Sequence, residues 1–475
     1  LLKKKAVSLQ VPKAEALSFG QNKGGKSMEK EFFDVLEELI QQKKFRELKK
    51  ILDEMNQVDV ALFIEGLENT EAVIVFRMLS KEIAAGVFSY LTKEMQQTIV
   101  GAITDNEIAF IIEELFVDDA VDFLEEMPAG VVARVMECAT PSTRKLINQF
   151  LNYPENSVGS IMTAEFVSLK KTLTVKRAIE HIRKTGLDKE TIYTCYVTDS
   201  NRVLEGVISI KRLLLSADEE IIEDVMDTDI IFTTPTEDRE DAAQLISKYD
   251  LLSVPVVDHE NRLVGIVTVD DAVEVIEREA TEDFEIMAAM SPSEKPYMKT
   301  GVFTLAKNRI LWLLVLMVSS MITGSILTKF DAVFTAVPLL VTFIPMMTGT
   351  GGNAGSQSST MIIRGMALSE IHLSDVLRVL WKELRVSILV GVVLALVNYV
   401  RLLIMYPGEQ MIALTVALSL LATIIIAKAI GSLLPMFAKL IKADPAIMAA
   451  PLISTIVDAC SLVTYFMIAE SLLNI

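Results

Sequence analysis

The sequence predicts a multidomain membrane protein. It should combine an all-α cytosolic superhelical domain, an α/β tandem module, a connecting helix and a five-helix transmembrane domain. Three observations carry this. Charge is segregated: residues 1–300 hold 55 of the 63 acids and a net charge of −21, whereas residues 301–475 hold 8 acids, 11 bases and a net of +3. Apolar runs of spanning length crowd into the last third. A block of about 60 residues occurs twice between residues 161 and 273.

In chain order, the first stretch of note is "GQNKGGKS" (20–27), which fits the phosphate-cradling pattern G-x-x-x-x-G-K-[ST]. That loop works only between a buried strand and a helix. Residues 3–19 contain no apolar strand, and Pro12 interrupts them. Met28 opens a clean helical pattern, so residues 1–27 are read as a disordered tail or a start-site artefact. A P-loop ATPase stays as an alternative class, to be detected as Mg2+-dependent hydrolysis.

Residues 28–152 read as helix after helix. The echoes "DVALFIEGL" (59–67), "EIAAGVFSYL" (82–91) and "EIAFIIEEL" (107–115) suggest stacked hairpins, against an ordinary irregular helical domain. The repeat follows: "IMTAEFVSLKKTLTVKRAIEHI" (161–182) aligns with "VMDTDIIFTTPTEDREDAAQLI" (225–246), and "VLEGVISIKRLL" with "RLVGIVTVDDAV". Each copy reads as strand, helix, strand, strand, helix. The copies resemble a tandem pair of CBS modules, at 153–218 and 219–276. That resemblance implies ligand sensing, with ATP at the pair as a modulator, and dimerisation. A long helix should then run from about Asp270, with a connecting segment at 277–305 leading to the transmembrane part at 306–475.

Five spans are expected, at roughly 310–328, 332–348, 386–406, 411–436 and 447–474. With the N-terminus inside, Lys307, Arg309, Arg364, Arg378, Lys382, Arg385, Lys439 and Lys442 flank the cytoplasmic side, and only Lys329 and Arg401 the other. This satisfies the positive-inside rule and puts the C-terminus outside. The expected place is the bacterial cytoplasmic (inner) membrane, with the acidic domains in the cytosol.

The acidic surface excludes nucleic acid as a partner and favours cations. Cys138, Cys195 and Cys460 form no CxxC and His181, His259 and His372 are isolated, so a handled metal should be hard and oxygen-liking. Asp458 lies inside the last span with Pro451, Ser454, Thr455, Ser461 and Tyr465 on or near its face. An intramembrane carboxylate is costly and functional by default. It either faces a pore or pairs with a cation, for which Lys428 in the preceding span is the candidate. In "PMMTGTGGNAGSQSSTMIIRG" (345–365) the glycines are expected to break the helix, so that carbonyls with Asn353 and Gln357 meet a hydrated ion. The other reading is tight helix contact through small residues, and the two are compatible.

This order of parts, with "GTGGNAGSQS" and "PLISTIVD", resembles the MgtE magnesium transporters over residues 28–475. The resemblance implies a homodimeric, Mg2+-selective channel in the lipid bilayer, gated by internal Mg2+, and not an enzyme. It implies a pore site at Asp458, Ser454, Gly349, Gly352 and Asn353. It implies sensory Mg2+ at Asp118, Asp122, Asp238, Glu240, Asp250, Asp271, Glu274, Glu279, Glu282 and Asp283. Glu274 stands where Asp is also found, and Lys428 departs from the family pattern. A CBS-regulated transporter of Co2+, Mn2+ or a proton-coupled solute is the remaining alternative.

Overall fold

A computed structural model describes residues 25–293, 297–298 and 300–473, with side chains of residues 25–31, 82, 334 and 450 left aside. The chain divides into two compact units at Val273/Glu274.

Among its described residues the first unit starts with ten helices: α1 (Gly25–Gln41), α2 (Phe45–Leu52), α3 (Gln57–Gly66), α4 (Asn69–Met78), α5 (Lys81–Ser89), α6 (Lys93–Ala102), α7 (Asp105–Glu114), α8 (Val117–Glu125), α9 (Ala129–Cys138) and α10 (Pro141–Phe150). Helix α1 begins at Gly25, three residues before Met28, so the last three residues of "GQNKGGKS" are helical. Residues 20–24 of that stretch lie outside the described residues. From α3 onward helices of about ten residues pack mainly on the next but one: α3 on α5, α4 on α6, α5 on α7, α7 on α9 and α8 on α10. That is the stacked-hairpin arrangement the echoes suggest.

Its repeat length is visible in the hydrogen bonds. Glu65 accepts from the backbone N–H (2.8 Å) and hydroxyl (2.7 Å) of Thr92, which precedes α6. Glu113 accepts from the N–H of Thr140 (2.9 Å), which precedes α10, and from the Thr143 hydroxyl (2.9 Å). The two brackets are 48 residues apart, as are the starts of "DVALFIEGL" and "EIAFIIEEL". Each satisfies helix-start groups that have no partner within the helix. Between them, Thr104 and Glu107 close a capping box on α7.

The repeated module follows. Its first copy holds α11 (Val158–Ile161), β1 (Phe166–Leu169), α12 (Val175–Thr185), β2 (Thr191–Thr198), β3 (Leu204–Ser209) and α13 (Ile210–Leu215). The second holds α14 (Ile222–Val225), α15 (Arg239–Tyr249), β4 (Ser253–Val257) and β5 (Leu263–Thr268). Strand β1 pairs parallel with β2, β2 antiparallel with β3, and β4 antiparallel with β5. The expected first strand of the second copy is reduced to a single parallel bridge, Thr233 to Val256, beside Pro235.

The copies exchange edges. Thr163, before β1, bridges to Ile266 on β5, and Asp227, in the equivalent place 64 residues on, bridges to Val207 on β3. Gly265 and Gly206 make this approach possible. A Cβ at Gly265 would lie 2.9 Å from Met162 Sδ and from the Thr163 carbonyl, and one at Gly206 would lie 2.5 Å from Met226 Sδ.

Helix α16 (Val269–Met287) leaves β5 directly. The expected boundary at 276/277 therefore falls inside one continuous helix. The connection to the next helix, α17 (Val302–Lys329), is not helical at its described residues.

The second unit continues with α18 (Asp331–Ala336), a 3-10 turn (Pro338–Phe343), α19 (Ile344–Ala367), α20 (Val376–Met405), α21 (Gln410–Leu440) and α22 (Ala450–Leu473). Among the described residues, four helical segments are long and apolar enough to cross a membrane; they contain α17, α20, α21 and α22. The expected span at 332–348 is not one helix. It is divided among α18, the 3-10 turn before Pro345 and the first residues of α19. Helix α21 is the hub, packed on α19, α20 and α22. Phe343, Met347, Leu420, Ile424, Ile453, Val457 and Phe466 form part of the core. The buried Tyr465 hydroxyl donates to the Leu340 carbonyl at 2.9 Å.

The glycine segment does not break its helix. Gly349, Gly351, Gly352 and Gly355 all lie within α19. Glycine costs roughly 1 kcal/mol per residue in a helix interior, and close packing offsets that here. A Cβ at Gly351 would lie 2.8 Å from Ser461 Oγ and Thr423 Cγ2, and one at Gly355 2.8 Å from Ile453 Cγ2. Across the α19–α21 crossing, a Cβ at Gly431 would lie 2.2 Å from the Gly355 carbonyl oxygen. Small residues thus serve helix contact, and the carbonyls stay in the helical ladder. Gly431→Ala is expected to destabilise the membrane unit by about 1–3 kcal/mol, the usual cost of overpacking, read as a lowered thermal midpoint in detergent. An unchanged midpoint would contradict this crossing.

Candidate metal sites

Three places gather residues suited to a hard cation. The first lies in the first unit, where the start of α8, the start of β2 and the start of α16 meet. Asp118 brings a carboxylate whose Oδ1 is buried without a hydrogen-bond partner. Burial, then the charges of Asp271, Asp119 and Glu190, holds its proton affinity well above the usual carboxylate range. Glu190 has a similarly orphaned Oε2. Burial, with Asp270, Asp271, Asp119 and Glu165 nearby, pushes its pKa up to about 7. Asp271 accepts from the Thr268 hydroxyl at 2.6 Å, which fixes it at the head of α16.

The donor set is all carboxylate oxygen, which suits Mg2+ or Ca2+ rather than a softer metal. Among the described residues, no group of three His, Cys, Asp or Glu side chains has ligand geometry. The carboxylates are close enough to raise one another's pKa without forming a cage.

The pH consequence has a definite sign. Folded Glu190 keeps its proton up to about pH 7, whereas an unfolded glutamate releases it near 4.5. Its raised pKa therefore favours the folded state below about 4.5, and this contribution is lost as pH rises to about 7. Glu190→Gln is expected to flatten the fall in thermal midpoint between pH 5 and 8 in Mg2+-free buffer. A fall as steep as in the wild type would mean that Glu190 does not carry it.

The second place is the end of α16. Asp283 is pushed up to about 6 by burial, then by Asp444, Glu279 and Glu282. Asp444 precedes a 3-10 turn (Pro445–Met448) between α21 and α22, where its carboxylate accepts from the Ala446 N–H at 2.8 Å. Ile286 and Met287 pack on Ile363, Ala446 and Ala449 beside it.

The other expected sensor residues have the following local partners. Asp122 pairs with Lys93 across α6 and α8. Glu274 is 2.6 Å from Arg278, one turn along α16. Asp238 caps α15 by accepting from the Glu240 N–H at 2.9 Å, and the Glu240 carboxylate accepts from Gln244. Asp250 ends the same helix in a left-handed conformation, φ 51°. Eleven residues of helix, about 16 Å, separate the two ends. Sequence reasoning named neither Glu190 nor Asp444 as a site residue. Each sits at the end of an element, with only its charge as a signal.

The third place is in the membrane unit. Gly349, Asn353 and Gln357 form an exposed stripe at four-residue spacing on α19, continued by Arg364. Gly352 turns toward α22: its missing Cβ would lie 3.3 Å from Ser454 Cβ and 3.8 Å from Asp458 Oδ1. Ser454 donates its hydroxyl proton to the Pro451 carbonyl at 2.9 Å, leaving the oxygen an acceptor. Asp458 is partly buried. Lys428 is not its counter-ion. The ammonium reaches Ser358 Oγ at 3.1 Å and Glu383 Oε2 at 3.7 Å, across α19 and α20.

An intramembrane carboxylate, a polar helix stripe and clustered acids outside the spans are the features of a membrane protein that handles cations. Family comparison agrees. The MgtE model, described as a divalent cation transporter, matches residues 344–468. The MgtE intracellular N domain matches 55–156, and CBS domains match 158–218 and 222–278. The magnesium transporter MgtE of Thermus thermophilus is 33% identical over 451 residues, covering 94% of this chain and 100% of that protein. That of Bacillus subtilis is 31% identical, covering 92% and 96%. Among solved structures, the soluble part of a magnesium transporter matches at 30% identity with a TM-score of 0.50, covering 53% of this chain and 99% of that one. The chain belongs to the MgtE family of magnesium transporters.

Proposed function

We propose that the chain is a homodimeric Mg2+-selective channel for Mg2+ uptake, closed by Mg2+ bound to its acidic cytosolic part. The observation that carries the gating is the pair of carboxylate groups whose charges raise a neighbour's proton affinity at the two ends of α16: Asp118, Glu190 and Asp271 at its start, Asp283 and Asp444 at its end. Without a cation these groups repel, which favours a looser, conducting arrangement. Mg2+ bridges them, draws α16 into its packed position and favours closure.

The exposed stripe Gly349–Asn353–Gln357 supports the dimer. Such a polar face in a membrane helix is costly against lipid and suits a water-filled path between two copies. Mg2+ sheds water reluctantly. It is therefore taken largely hydrated, with Asp458, Ser454 and Asn353 holding its waters. Helix α19 serves as the fifth spanning element in this reading, which places the C-terminus outside. Flux follows the gradient, and a divalent ion gains about 4.6 kcal/mol per 100 mV.

The test is Mg2+ flux into proteoliposomes as internal Mg2+ is raised, with Co2+ and Mn2+ as competitors. Flux without ATP that shuts off with internal Mg2+ supports the reading. Preferential Co2+ or Mn2+ flux, or an absolute need for ATP hydrolysis, overturns it.

A further inference from the structure

The membrane unit contains a second charged constellation that the conduction path does not use. Lys428 on α21 is 5% exposed and Ser358 on α19 is 1% exposed. The Ser358 hydroxyl donates to Glu383 Oε2 on α20 at 2.6 Å and accepts from the Lys428 ammonium at 3.1 Å. Lys428 and Glu383 lie 3.7 Å apart, and the Glu383 side chain is 17% exposed. One hydroxyl thus joins a buried cation to a half-buried anion, and each residue comes from a different helix.

The setting is close-packed on both sides. Gly431, three residues along α21 from Lys428, abuts the Gly355 carbonyl on α19, three residues before Ser358. Gly391, eight residues along α20 from Glu383, abuts Leu421 on α21; a Cβ there would lie 2.7 Å from Leu421 Cδ1. Between Glu383 and Gly391 the same face holds the fully buried Ser387. At the α19–α21 crossing the approach is to backbone, so there is little room for these two helices to slide past one another.

Resting on the channel reading above, we infer that Lys428, Ser358 and Glu383 are positioning residues that fix the rotation of α19 about its axis, and thereby the cation preference of the path. A lone charge at membrane depth is costly, and a paired and hydrogen-bonded one much less so. Ser358 satisfies both charges only while its face of α19 is turned into the bundle. A turn of α19 by one residue, about 100°, withdraws it and leaves Lys428 and Glu383 without their shared hydroxyl. Holding Ser358 inward holds Gly352 against Asp458 and keeps Gly349, Asn353 and Gln357 outward on the open stripe. A buried ion pair of this kind sets register more than it adds stability.

The experiment compares wild type with Lys428→Met, Glu383→Leu, Ser358→Ala, the pair Lys428→Met with Glu383→Leu, and Lys428→Arg. All are measured as full-length protein in proteoliposomes and normalised to folded protein. The readouts are Mg2+ flux, the ratio of Mg2+ to Co2+ flux, and thermal midpoint. Each of the first two variants is expected to lower Mg2+ flux at least tenfold and to shift the Mg2+:Co2+ ratio. The apolar pair is expected to recover more than either single change allows, and Lys428→Arg to keep the wild-type ratio. Single variants with wild-type flux and ratio overturn the inference. So does a lowered midpoint with an unmoved ratio, which is what a purely structural ion pair would give. Effects of the pair that merely add overturn it as well. Absence of flux in wild type would instead strike the channel reading itself.

Discussion

Asp458→Ala is expected to abolish Mg2+ flux or remove its preference for Mg2+ over Co2+, while leaving the fold intact. The side chain is partly buried on α22, opposite Gly352 on α19, whose missing Cβ gives it room. Truncation there leaves no clash and no orphaned ion pair, because Lys428 is already satisfied by Ser358 and Glu383. The loss should therefore be functional, with a thermal midpoint near that of wild type. Asp458→Asn keeps the shape and removes the charge, so it should retain less than about a tenth of the flux if charge does the selecting; each tenfold corresponds to about 1.4 kcal/mol. Normal Mg2+ conduction by Asp458→Ala would remove this residue from the path. Gly352→Ala is the companion, since its new methyl would meet Ser454 Cβ at 3.3 Å and approach the carboxylate.

The second large effect concerns gating. Asp118→Asn together with Asp271→Asn removes the buried Asp118 carboxyl and the Asp271 charge that, after burial, raises its proton affinity. As a scale, two unit charges 4 Å apart at an effective dielectric of 20 interact by about 4 kcal/mol. That is close to the roughly 5.5 kcal/mol needed to reverse a two-state equilibrium from 1:99 to 99:1. With the repulsion gone, the packed arrangement should persist without Mg2+. Protease resistance of the cytosolic part in Mg2+-free buffer should rise toward its Mg2+-bound level. Flux should lose most of its response to internal Mg2+. A variant that still needs Mg2+ for protection, with an unshifted midpoint, would separate this cluster from gating.

Much of the architecture was legible in the sequence, and the reasons differ by region. The paired module announces itself because the same apolar alternation occurs twice, and β5 falls within its quoted second-copy segment "RLVGIVTVDDAV". The helical region was readable as an echo, yet the Glu65–Thr92 and Glu113–Thr140 brackets were not, since each joins residues 27 apart with no local pattern between them. The glycine segment misled. Counting glycines predicts a broken helix, but helix propensity is a weak prior. What decides is whether Ser461, Thr423 and the Gly431 backbone come close enough to need the space. Among the site residues, Asp458 was conspicuous because a carboxylate in an apolar run has few bland explanations. Asp118 and Asp271 carry no mark in the sequence that they meet, and Glu190 and Asp444 even less. Their contribution is long-range and electrostatic, so it appears only when the chain is folded. Lys428 was visible as an oddity, but its partners were hidden 70 and 45 residues away.

The edge exchange in the α/β module has a consequence for how that region came to be and how it can be taken apart. Thr163 completes the sheet of the second copy, and Asp227 that of the first. Neither half owns its whole sheet. Two genes encoding separate halves would each produce a chain with an open edge seeking its complement, and a break placed between Leu215 and Ile222 would leave two fragments that reassociate rather than two modules that stand alone. Because each copy completes the other's sheet, the pair is expected to melt in one cooperative transition, to be checked by calorimetry of the isolated α/β module.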